Sequence, residues 1–149
     1  MKRSDRIFEK VNNLLTANYK AEKIYSEISR TISGEPLKMF FKERKIKRHN
    51  FNKVLINELD RHNIIPKAAT TLGNYNTKMK LKGSGINLLN SGDQFQIEVI
   101  RLKNESLNRY NDLLLELSLP LSLCKALSKQ RDDIQSAMLI LSKDEELVH

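Results

Sequence analysis

Residues 11–36 read VNNLLTANYKAEKIYSEISRTISGEP. Val11, Leu14, Asn18, Ala21, Tyr25, Ile28 and Ile32 recur at alternating steps of three and four, the spacing that places side chains on one face of an α-helix. The run ends in Gly34-Glu35-Pro36. Glycine suits the left-handed position that closes a helix, and proline suits the first turn of the next. The stretch therefore predicts a helix over 6–32, a tight turn, and a second helix from 36, which together make a helical hairpin.

Outward from this hairpin the pattern repeats. The second predicted helix, 36–62, carries Leu37, Phe40, Phe41, Phe51, Val54, Leu55 and Leu59 on its apolar side and stops at His62-Asn63-Ile64-Ile65-Pro66, where proline cannot continue a helix. A third, 93–117, carries Phe95, Val99, Leu102, Ser106, Leu113 and Leu117, and Ser91-Gly92-Asp93-Gln94 before it has the form of a capping box. Leu119-Pro120 separates it from a fourth, 121–142, with Leu123, Leu127, Gln130, Ile134, Ala137 and Leu141. Alternating β-branched runs bounded by turn pairs are absent, so no sheet is expected. The segment of about 64–91 is too long for a turn and contains Gly73, Gly83 and Gly85. It reads as a crossover, partly helical over Tyr75 to Leu81, weakest at Lys82-Gly83-Ser84-Gly85, and docking through Ile86 to Leu89. The expected fold is all-α: one domain over 1–149, an antiparallel four-helix bundle with a long crossover between helices two and three. Two hairpins joined by one crossover have ferritin-like connectivity.

The chain has 149 residues and one cysteine, Cys124. A domain of this length buries enough surface to fold without a disulfide or metal, and a lone cysteine fits a reducing compartment. Cys124 lies in an apolar stretch and is expected as a small core residue. Met1-Lys2-Arg3-Ser4-Asp5-Arg6 is not followed by a long apolar run, and no window approaches a membrane span. A cytoplasmic protein without membrane contact is expected. The net charge of +8 makes nucleic acid a partner to consider, but 18 acidic residues are mixed among 26 basic ones. Lys38, Lys42, Lys45 and His49 form one basic stripe and Lys78, Lys80 and Lys82 another, yet Glu43 interrupts the first and no recognition motif or stacking set accompanies them. This argues against specific nucleic-acid recognition and leaves weak, salt-sensitive binding open.

A ferritin-like bundle raises the question of a di-metal site, which wants a glutamate from each of two helices and Glu-x-x-His on the others. Glu43-Arg44-Lys45-Ile46 has isoleucine where histidine is needed, and the fourth helix offers Gln130, Asp132 and Asp133 without a histidine. The only Glu-x-x-His is Glu146 to His149, at the end of the chain. His49 and His62 do not share a helix face, and Glu58 four residues before His62 gives it an ordinary ion-pair partner. Lys82-Gly83-Ser84-Gly85 lacks the length and final lysine of a phosphate loop. The sequence thus supports no catalytic residue, no metal ligand and no cofactor.

Each helical seam turns polar near its midpoint: Asn18 and Glu22, then Arg44 and Lys47, Glu105 and Arg109, Gln130 and Asp133. Antiparallel helices of similar length bring their midpoints to one level, so these eight residues are candidates for a polar core layer. In it, guanidinium and ammonium groups would stand in for a metal cation and balance Glu22, Glu105 and Asp133. The alternative is a rotation that sends the charges to solvent and leaves their stems against the core.

The chain also resembles a family of bacterial ferritin-like bundles of unknown function, loosely linked to stress response. The likeness rests on Asn13-Leu14-Leu15 and Ala21-Glu22-Lys23-Ile24-Tyr25 in the first helix, and on Phe40-Phe41-Lys42-Glu43-Arg44, Phe51 and Leu59 in the second. In the third it rests on Glu105, Leu107, Tyr110 and Leu119-Pro120, and in the fourth on Gln130, Ile134 and Leu141. It spans about Val11 to Leu141, and implies a four-helix fold and a dimer. The chain departs from the family twice: the family's histidine–aspartate pair in the last helix is Met138-Leu139 here, which weakens any inherited metal site, and its crossover tryptophan is replaced by Lys82-Gly83-Ser84, which implies a looser crossover.

The function expected from these readings is that of a non-catalytic bundle with a structural or interaction role. The alternatives are a ferritin-like metal-binding or oxidoreductase remnant and a non-specific nucleic-acid binder. A homodimer is predicted as well, because 40% of residues are hydrophobic and Ile56, Ile97, Ile100 and Leu114 lie outside the seams.

Overall fold

The computed structural model describes residues 3–64 and 94–143, with side chains over 6–64 and 96–137. These residues form four helices: α1 (Arg3–Thr31), α2 (Glu35–Arg61), α3 (Gln94–Leu114) and α4 (Leu121–Lys143). No strand occurs among the described residues. The predicted crossover, its glycines, the capping serine and Lys78, Lys80 and Lys82 lie outside the described residues. So does the Glu146–His149 pair.

The turns follow from local chemistry. Gly34 adopts φ 102° between α1 and α2, a conformation that a side chain disfavours. Pro36 then occupies the first turn of α2 beside Glu35, where a missing N–H costs nothing and an acidic side chain meets the positive helix end. At the other end of α2, Asn63 takes φ 55°. Its N–H donates to the carbonyl of Asp60 at 3.1 Å, and that of Ile64 donates to Leu59 at 2.9 Å. This is a Schellman closure with asparagine in the left-handed position, so α2 ends on its own hydrogen bonds before Pro66 is reached. α3 stops at Leu114, three residues short of the expected 117. There Glu116 turns toward α1 and Leu119 is buried among the apolar residues, so Leu117, expected on the seam, is 96% exposed.

α1 packs on α2 and α3, and α4 completes the set by packing on α3 and α2. Partner numbers fall along one helix as they rise along the other. On α1, Lys10 faces Asp112 and Lys20 faces Glu105 of α3. On α2, Arg44 faces Asp133, and Glu58 meets Ser122 of α4. The apolar interior is split in two. One cluster gathers Leu14, Leu15, Leu55, Leu59, Tyr110, Leu113, Leu123 and Leu127 near the α3–α4 turn. The other gathers Ile24, Tyr25, Ile28, Phe41, Val99 and Leu102 near the α1–α2 turn. Asn18, Arg48, Asn52, Ser106 and Gln130, all buried, occupy the level between them. Ile56, expected outside the seams, is 9% exposed and belongs to the first cluster. Val54, expected inside, is 46% exposed.

Candidate functional site

The polar level between the apolar clusters draws on all four helices. Arg48 of α2 is 3% exposed. Its Nη1 donates to Asn18 Oδ1 of α1 and to Ser106 Oγ of α3, each at 2.8 Å. Asn18 Nδ2 donates to Asn52 Oδ1 and to the Tyr110 hydroxyl, each at 3.0 Å. Tyr110 in turn donates to Gln130 Oε1 of α4 at 2.6 Å. The outer ends of the chain close on backbone: Asn52 Nδ2 reaches the carbonyl of Leu15, and Gln130 Nε2 that of Phe51. Buried amides are thus matched almost group for group, as a low-dielectric interior demands. Burial pushes the Tyr110 hydroxyl up to about 12, against the opposing pull of the Arg48 charge and the Asn18 hydrogen bond. Tyr110 therefore stays a neutral donor.

The Arg48 guanidinium also lies over the Tyr25 ring, its carbon 5.8 Å from the centroid, a favourable place for a cation. No described carboxylate pairs with it. Its Nη2 is buried and makes no hydrogen bond among the described residues.

Of the eight residues expected in the layer, Asn18, Arg44 and Gln130 are buried. Glu22, Lys47, Glu105 and Asp133 are partly covered, and Arg109 is exposed to solvent. Arg44 and Lys47 do meet Asp133, at 2.9 and 3.2 Å. Burial works against the Asp133 charge, but the hydrogen bonds from Arg44 and Lys47 outweigh it, and its carboxyl is held below the ordinary 3.8. The other acids are answered by different groups. Glu105 faces Lys20 at 3.6 Å, and Glu22 faces His49 Nδ1 at 3.1 Å. The layer thus divides into a buried, largely neutral network and, outside it, a half-covered ring of ion pairs with one carboxylate–imidazole contact.

Arg48, Asn52, Ser106 and Tyr110 are the members that the midpoint reading passed over. Ser106 stood on the expected seam without a polar role, and Tyr110 entered only through the family resemblance. The signal for Arg48 and Asn52 was present: Phe41, Arg44, Arg48, Asn52, Leu55 and Leu59 keep steps of three and four.

Among the described residues no three of His, Cys, Asp and Glu are grouped so as to hold a metal ion. The centre of the layer does not fit a cation in any case. A guanidinium that cannot give up its proton already sits there and would repel one. Beside the layer, between α2 and α4, a groove of about 320 Å³ is lined by Lys47, Phe51, Val54, Ala126, Lys129 and Gln130 among others. The stripe of Lys38, Lys42, Lys45 and His49 runs along α2, with Lys42 exposed and His49 engaged by Glu22. Cys124 is half-buried against the apolar cluster, as a free thiol. No described helix is long and apolar enough to cross a membrane. Compared with known proteins, the chain matches no family model, no curated sequence and no solved structure.

Proposed function

We propose that this chain is a non-catalytic helical bundle with a structural or interaction role, its helices antiparallel and connected in the ferritin-like order. The opposed numbering between α1 and α3 and between α2 and α4 supports the architecture. One observation carries the function: at mid-bundle, where a ferritin-like relative would converge carboxylates and histidines, Arg48 stands among Asn18, Asn52, Ser106, Tyr110 and Gln130. Asn52 is held through Asn18, and Gln130 through Tyr110. These groups offer amides and hydroxyls that are already committed to one another. No nucleophile is activated by a base there, and no acid–base pair is poised around an open space, so the level serves specificity of packing rather than turnover.

The homodimer belongs to the same proposal, on a reduced basis. Ile56 and Leu114 pack inward, leaving Ile97 and Ile100, 69% and 54% exposed, three residues apart on α3. Light scattering at micromolar concentration tests it, and a mass near 17.3 kDa is the result that rejects it.

The functional reading is tested by purifying the full chain without chelator and measuring bound metal by elemental analysis. Thermal melts are then recorded with EDTA and with manganese, iron(II) or zinc. We expect substoichiometric metal and an unchanged midpoint. One metal per chain, or a midpoint that rises with the logarithm of a divalent ion's concentration, replaces this reading with the metal-binding one, because a ligand that prefers the folded state must raise its stability.

A further inference from the structure

Arg48 presents a charge problem that its neighbours do not solve. Lysine or histidine in such a place can shed its proton, but arginine cannot. Its Nη1 is satisfied twice by neutral oxygens, and Nη2 is buried without a partner among the described residues. The nearby acids are committed elsewhere: Asp133 to Arg44 and Lys47, Glu22 to His49, Glu105 to Lys20. A water molecule at Nη2 would supply an acceptor but leave the charge uncompensated. An anion supplies both.

The geometry points to a buried binding site for a small monovalent inorganic anion, of the chloride or bromide class, held by Arg48 Nη2 at the centre of the bundle. Small size follows from the 3% exposure of Arg48. Single charge and weak hydration follow from the cost of stripping water from an ion before burial, which rises steeply with charge and excludes sulfate and phosphate. The inference goes beyond the non-catalytic reading and does not depend on it. An anion here would complete the layer electrostatically and make the stability of the fold respond to halide concentration.

The test uses the wild-type full chain in two arms. Crystals are grown with sodium bromide in place of chloride and measured at the bromine edge. In solution, thermal midpoints are recorded at constant ionic strength while sulfate is exchanged for bromide. We expect an anomalous peak within hydrogen-bonding distance of Arg48 Nη2. We also expect a rise in midpoint that grows with the logarithm of bromide above the dissociation constant, about 3–6 °C at ten times that constant. Arg48→Met should abolish that rise. If this variant does not fold, the crystal and the wild-type titration decide alone. Water at Nη2 in bromide crystals, or no peak there, overturns the proposal. A bromide peak without a rise in midpoint marks an adventitious ion only, and also overturns it.

Discussion

Arg48 Nη1 and Ser106 Oγ meet at 2.8 Å across the interior of the bundle. Their helices, α2 and α3, do not form one of its four main packed edges, which are α1–α2, α1–α3, α3–α4 and α4–α2. The bond therefore runs corner to corner. Asn18 receives the same guanidinium nitrogen and passes the network to Tyr110 and then to Gln130. A slip of any helix by one turn would strand a buried charge or amide, so this level fixes register as no apolar layer could.

Ser106→Ala should therefore cost more than its size suggests. It removes an acceptor from a charged, buried donor, a loss on the order of 1.5–3 kcal/mol. Ser136, exposed on α4, is the control, and its change to alanine should stay within about 0.5 kcal/mol. Urea melts of the two variants make the comparison. Equal effects would show that the corner-to-corner bond contributes nothing.

Tyr110→Phe separates the network's hydrogen bonds from its packing. The hydroxyl serves both Asn18 Nδ2 and Gln130 Oε1, and its loss leaves buried amide groups short of partners, at about 1–3 kcal/mol near neutral pH. The pH dependence has a definite sign. Burial raises the hydroxyl to about 12 in the folded chain, above the roughly 10 of an exposed tyrosine. The neutral form is favoured by folding, so its contribution is complete below 10 and is lost as pH climbs from 10 toward 12. Wild type should lose stability across that window faster than the phenylalanine variant does. Parallel losses in denaturant melts at pH 10 and 11.5 would contradict the assignment.

The sequence reading found the level of the polar layer but often the wrong neighbour within it. Lys47, Glu105 and Arg109 each precede by one residue the side chains that are buried, Arg48, Ser106 and Tyr110. One residue is about 100° of helix rotation, enough to turn a group from the interior to its rim. Midpoint counting sets height along the axis and is blind to rotation. The apolar spacing carried the rotation, and on α2 it was misdirected by Phe51 and Val54, which are apolar yet half-buried and exposed. The steps from Phe41 to Leu55 run through Arg44, Arg48 and Asn52, so the seam was legible only to a reader willing to bury arginine. The four described helices and the Gly34 turn were plain because local chemistry decides them. The end of α3 was not, because Glu116 and Leu119 are drawn away by contacts distant in sequence.

Arg44 and Asp133 offer a test of the ring outside the network. Their charges lie 2.9 Å apart, but Asp133 is partly exposed and Lys47 also holds it. Arg44→Met should cost about 1 kcal/mol, well short of the 3–5 expected for a fully buried pair. A double-mutant cycle with Asp133→Asn should show coupling of at least about 0.5 kcal/mol. Arg44→Met combined with Glu105→Ala should be additive, since Glu105 answers to Lys20 on α1. Coupling of Arg44 to Glu105 in place of Asp133 would mean a different rotation of α2.

Glu116 ties the α3–α4 turn to α1. Its carboxylate accepts Arg6 Nη2 and Lys10 Nζ, both at 2.8 Å. Hydrogen bonds from Arg6 and then Lys10 hold the carboxyl down at about 2, from an ordinary 4.5. The bond from Glu116 reciprocally raises the Lys10 ammonium, against the pull of burial. A carboxyl depressed by folding stabilises the fold above its ordinary value, and the contribution is lost as pH falls through the folded one. Wild type should accordingly lose stability between about pH 4.5 and 2 from this site. Glu116→Gln should be the less stable protein at pH 6 and should converge on wild type by pH 2. Carbon-13 titration of the Glu116 carboxyl gives an independent reading, with a midpoint near 2 expected. A midpoint above 4, or two melting curves that stay parallel down to pH 2, would show that the turn is held by the burial of Leu119 alone.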